Sequence, residues 1–104
     1  MNTIEIELTI YVTGNTSNEV REHFDCVRPE VEAVFQIDNE SDGEITSADI
    51  EGTTIKVIAH IDNKTLPEVR AYFADDDVLE GIEDMMEINL RSCVTVSAVM
   101  GWTR

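Results

Sequence analysis

Apolar and polar residues alternate over residues 3 to 13. Ile4, Ile6, Leu8, Ile10 and Val12 form one set, and Glu5, Glu7, Thr9 and Tyr11 the other. A period of two is that of a strand with one buried face. Gly14 ends the run, and Thr16 with Glu19 three residues later has the form of a capping box opening a helix. Val20, Phe24, Val27, Val31 and Val34 then recur at helical steps, a single stripe facing a core. Pro29 interrupts that stripe. Because proline lacks an amide hydrogen, a kink or split near Arg28 is expected, with both halves on the same surface.

Beyond an acidic segment at 38 to 44, residues 45 to 50 and 53 to 61 predict two strands joined by a tight turn at Glu51-Gly52. Thr65 with Glu68 repeats the capping box, and Pro67 fits the first helical turn, where amides have no intrahelical partner. Val69, Tyr72 and Phe73 give this helix its apolar face. Asp75, Asp76 and Asp77 shift the register, which predicts a break and a fresh helix start with acids at its positive end. Residues 90 to 102, rich in Val, Thr and Ser, predict a closing strand. The order is that of the ferredoxin-like βαββαβ fold, of the α+β class. It places two helices, each subject to a kink or split, on one face of a four-stranded antiparallel sheet. With 104 residues and 42% apolar content, a single domain over 1–104 is expected.

Charge changes the picture. The chain carries 22 acids against 7 Lys and Arg, a formal net charge of −15. Two stretches hold no Lys or Arg: 38 to 51 with six carboxylates, and 75 to 87 with seven. Such crowding disfavours the compact state, so it is expected to serve solubility or a cationic partner. Direct binding to DNA, RNA or anionic lipid is not expected, because those ligands demand phosphate neutralisation. At about 100° per residue, Asp76, Asp77, Glu80, Glu83, Asp84 and Glu87 fall within an arc of roughly 120°, opposite Val78, Leu79, Ile82, Met85 and Met86. One carboxylate every ~2.7 Å of helix axis is close to the charge density of a nucleic-acid backbone. An ordinary solvated face would mix signs to gain i,i+4 pairs.

Other chemistry is sparse. Residues 38 to 49 resemble an EF-hand calcium loop, with Asp38, Glu40, Asp42 and Asp49 at the first, third, fifth and twelfth positions and Gly43 at the sixth. Asp49 replaces the longer bidentate Glu, and Gly52 with its β-branched neighbours leaves no exiting helix, so an acidic turn is the competing reading. His23 and His60 are isolated, no nucleophile elbow or phosphate-binding glycine loop occurs, and no cofactor or enzymatic activity is expected. Trp102 is either core or a partner anchor. Cys26 and Cys93 lack metal-ligand spacing and are expected to stay free. The alternating N-terminus does not resemble a signal peptide, no window would span a bilayer, and the cytoplasm is the expected compartment.

In size, charge and charge pattern the whole chain resembles the small acidic phage and mobile-element inhibitors that mimic nucleic acid, anti-CRISPR and anti-restriction proteins among them. That resemblance implies an inhibitor occupying the basic nucleic-acid-binding surface of a host defence protein in the host cytoplasm. It would do so through Asp75, Asp76, Asp77, Glu80, Glu83, Asp84 and Glu87 together with Asp38, Glu40, Asp42 and Glu44. A homodimer is compatible with it. Two alternatives stand beside it. One is a ferredoxin-like regulatory dimer that binds a small metabolite near Gly14-Asn15. The other is halophilic adaptation, which clustered acids and eleven Ile argue against.

Overall fold

The computed structural model describes residues 2–13, 16–37, 41–86 and 91–103. Asp38, Glu40, Glu87, Gly14, Asn15 and the side chain of Trp102 lie outside the described residues. The chain runs β1 (Asn2–Thr13), α1 (Ser17–Val34), β2 (Asp42–Glu51), β3 (Thr54–Asp62), α2 (Leu66–Phe73), α3 (Asp76–Met86) and β4 (Arg91–Thr103). All strand pairs are antiparallel in the order β2-β3-β1-β4, which is the ferredoxin-like sheet.

β1 is central, and Ile4, Ile6, Leu8, Ile10 and Val12 are each at most 2% exposed. They meet Ile55, Val57, Ala59 and Ile61 of β3 and the stripe Val20, Phe24, Val27 and Val31 of α1 in one core. Phe35, just past α1, and Phe73 complete it with ring centroids 5.6 Å apart. At about 1.5–3 kcal/mol for each fully buried aliphatic side chain, these five form one of the larger favourable terms set against the entropy of ordering the chain.

Both predicted capping boxes are present. The Thr16 amide donates to Glu19 Oε1 at 3.0 Å, and the Thr65 amide to Glu68 Oε1 at 3.2 Å. Hydrogen bonds from the Thr65 hydroxyl and amide, then from Lys64, hold the Glu68 carboxyl below its ordinary pKa. Pro29 does not split the helix: α1 runs unbroken from Ser17 to Val34. Pro29 and Asp25 are both exposed, so the carbonyl that loses its i+4 donor faces water and needs no protein partner. The second helical segment does split, into α2 and α3 around Asp75. The β2–β3 turn falls at Gly52–Thr53, with Gly52 at φ 60° in the first turn position, as a type II′ hairpin requires.

Two contacts fix the end of α1. The Tyr72 hydroxyl donates to the Val34 carbonyl at 2.9 Å, and Gln36 Nε2 donates to the Gly43 carbonyl at 2.7 Å. Gly43 lies so close to the α1 terminus that an added Cβ would sit 2.6 Å from the Phe35 carbonyl carbon. Gly43→Ala is therefore expected to cost about 3 kcal/mol, read as a lowered denaturant midpoint.

Burial, and secondly the Asp75 charge, raise the Tyr72 pKa above its ordinary 10.0. The folded state thus holds that proton more tightly than the unfolded chain. The associated stability is intact below pH 10.0 and is lost as pH rises through the folded-state value. Tyr72→Phe should cost about 1 kcal/mol at neutral pH. Thermal melts should show the gap to the parent closing above pH 10.0.

Candidate partner-binding surfaces

α3 is positioned by Asp75, whose Oδ1 accepts the Asp77 amide at 3.0 Å in the manner of an N-cap. Asp76 and Asp77 occupy the first turn, where the helix dipole favours anions, and Ile82 and Met86 are buried against the sheet. Asp76, Asp77, Glu80 and Asp84 are exposed. Asp77, Glu80 and Asp84 stand at i, i+3 and i+7, one stripe about 10 Å long. No salt bridge involves them among the described residues.

Glu83 does not belong to that stripe. It is half-buried, and its Oε1 accepts the Val94 amide at 3.0 Å. Val94 lies on β4, an edge strand, so this carboxylate satisfies a backbone donor that points away from the sheet. Glu32 of α1 does the same at the opposite edge, where its Oε2 accepts the Ile45 amide of β2 at 2.9 Å. Two of the chain's carboxylates are thus edge caps. Periodicity could not separate Glu83 from Glu80, because only the tertiary fold says which one reaches β4.

From Asp42 onward the second acidic stretch is a strand, not a loop. Asp42 to Glu51 is extended, so Asp42 and Asp49 stand about 20 Å apart along β2 and cannot share one calcium ion. Asp42, Glu44, Asp49 and Glu51 are all exposed, on the sheet face away from the helices. The register joins them there to Glu5, Glu7 and Asp62. That face holds cross-sheet contacts that the sequence does not reveal, among them a hydrogen bond between the Thr9 and Ser97 hydroxyls. His60 Nε2 lies 3.1 Å from Glu5 Oε1, and the Thr3 hydroxyl donates to Asp62 Oδ1 at 2.7 Å. Lys56 is paired in register with Asp49. His60 and Glu5 are 55 residues apart, so only strand pairing brings them together.

The two acidic stretches therefore do not converge. α3 packs beside β4 on the helical side, whereas β2 is the opposite edge and presents its acids on the open side. A recess of about 440 Å³ lies at the hairpin end of the sheet, lined by Arg21, Ala48, Asp49, Ile50, Glu51 and Lys56 among others. Its charges are mixed. Among the described residues no group of three or more His, Cys, Asp or Glu could hold a metal, and Cys26 and Cys93 are free and exposed. No described helix is long and apolar enough to cross a membrane.

No family model and no curated protein matches the sequence. Solved structures do match in fold. A de novo designed protein with ferredoxin fold is 19% identical over 90% of this chain and 85% of its own, with a TM-score of 0.55. An amidase of the hydantoinase/carbamoylase family from Burkholderia vietnamiensis gives 0.53 at 10% identity over 97% of this chain. A tripeptidase from Staphylococcus aureus gives 0.51 at 12% over 99%. The chain spans 28% and 31% of those two enzymes. These likenesses establish the ferredoxin-like fold and nothing finer.

The edge-cap role of Glu83 separates two substitutions. Glu83→Gln keeps an acceptor and should change stability by less than about 1 kcal/mol, whereas Glu83→Ala orphans the Val94 amide and should cost about 2 kcal/mol. Amide exchange at Val94 provides the check, with strong acceleration expected in the alanine variant alone.

Proposed function

We propose that this protein is an acidic inhibitor that occupies the nucleic-acid-binding groove of a basic protein, a host defence protein in the reading its charge pattern suggests. The observation that carries the reading is the α3 stripe: Asp76, Asp77, Glu80 and Asp84 are exposed, and no Lys or Arg occurs between residues 71 and 90. A convex helix bearing only negative charge suits a groove built for a phosphate backbone, and complementary fields raise the rate of encounter. Glu83 leaves the proposed contact set because it caps β4. Asp42 and Glu44 lie at the opposite edge and open side of the sheet, so they serve as a steering field or a second contact, not as part of the same ridge. The role is one of binding, with no catalytic group assigned.

Immobilised protein is expected to capture nucleic-acid-binding proteins from a lysate at about 0.1 M salt and release them near 1 M, as the Debye length shrinks from ~10 Å to ~3 Å. Free duplex DNA or RNA should compete with that capture. Replacing Asp76, Asp77, Glu80 and Asp84 with Asn or Gln should leave the fold intact, the relieved repulsion offsetting the dipole interaction lost at Asp76 and Asp77, while slowing association with the captured protein by on the order of tenfold or more. Matching changes at Asp42, Glu44, Asp49 and Glu51 should cost less. Full binding by the α3 variant would reduce that stripe to a solubility device.

A further inference from the structure

The two edges of the sheet are built in opposite ways. β2 carries four exposed carboxylates, and the outward groups of Gly43 and Ile45 are held by Gln36 and Glu32. Among the described residues β4 has no such guard over most of its length. Residues 92 to 103 contain no charged side chain, the longest such run in a chain of net charge −15. Exposed Lys, inward charges and proline are the usual means of keeping an edge strand from pairing, and β4 has none of them there, only a bulge at Ser97.

The ladder shows which groups are open. Glu83 holds the Val94 amide, so Val94 points away from β1. Alternation along an antiparallel strand, reset by the bulge between Val96 and Ala98, then directs the N–H and C=O of Val96, Val99 and Gly101 outward as well. No hydrogen bond occupies them among the described residues. The adjacent Met100 side chain is 51% exposed on the open sheet face, an unusual place for a large apolar group on so acidic a protein.

We propose that β4 pairs antiparallel with β4 of a second copy of this chain, about a two-fold axis at Met100. In that register Val99 and Gly101 of each copy exchange their outward groups, and the two Met100 side chains meet as a close non-hydrogen-bonded pair. A second copy fits better than a charged partner because the edge itself is uncharged and an antiparallel strand is self-complementary under two-fold rotation. The joined sheet would place the two acidic β2 edges seven strand spacings apart, about 34 Å, well beyond the Debye length of ~8 Å at physiological salt. The α3 helices would instead share one side of the joined sheet, near its middle. Their carboxylates repel, so salt should strengthen this association.

That sign distinguishes the dimer from the inhibitor reading, on which it does not depend: salt weakens capture of a basic protein and promotes self-pairing. Sedimentation equilibrium from micromolar to millimolar protein is expected to give a dimer whose dissociation constant falls severalfold as salt rises from about 0.1 to about 1 M. Gly101→Pro removes an outward donor that the monomer does not use, and should raise that constant at least about tenfold while leaving the melting temperature of dilute protein nearly unchanged. Met100→Glu should act in the same direction. A monomer at every concentration in high salt would overturn the proposal. So would a dimer indifferent to both substitutions, which would place the contact elsewhere.

Discussion

Everything in this molecule rests on β1 having one face against the helices and one face without cover. The five aliphatic residues of its inner face are almost wholly excluded from solvent, and β1 is bonded on both sides, to β3 and to β4. A shift of one residue in either register would turn those side chains outward and bring Glu5 and Glu7 into the core. Burying an unpaired carboxylate costs several kcal/mol, so the register is specified by what it excludes as much as by what it packs. The same parity propagates across the sheet. It delivers Ile55, Val57, Ala59 and Ile61 to the core, and Asp42, Glu44, Asp49 and Glu51 to the opposite face.

A net charge of −15 would suggest that the carboxylates are interchangeable. They are not. Glu19, Glu68 and Asp75 serve helix N-termini, and Glu32 and Glu83 close exposed strand amides. Each of these holds a backbone donor that would otherwise be unsatisfied, and so contributes to folding. Asp76, Asp77, Glu80 and Asp84 hold no such donor. Asp76 and Asp77 gain from the helix dipole, but together the four add repulsion to the folded state, and they are the residues assigned to the proposed contact.

The edges express the same division. Negative charge and side-chain caps guard β2, whereas β4 carries no charge beyond Arg91 and, among the described residues, no cap beyond Val94. A sheet of this order has both edges exposed by topology, and a long unguarded edge is the feature most prone to recruit another strand. An acidic surface repels copies of the same chain wherever it faces them, so the neutral edge is where the proposed pairing meets least repulsion.

The sequence by itself determined the elements whose signals are local. The alternation of residues 3 to 13, both capping boxes, the apolar stripe of α1 and the break at Asp75 could each be read within a few residues, because strand parity, cap chemistry and helical period act at that range. The ferredoxin-like order of elements followed from them. A split at Pro29 did not follow, since a missing donor breaks a helix only where water cannot replace it, and exposure is a tertiary property. The acidic stretches were legible as charge but not as surfaces. Only the sheet order set them on opposite edges, brought Glu83 to the Val94 amide of β4, drew Asp42 and Asp49 apart along one strand, and placed His60 beside Glu5. Each of those outcomes depends on contacts between residues far apart in sequence, and such contacts leave no periodic trace in the chain that makes them.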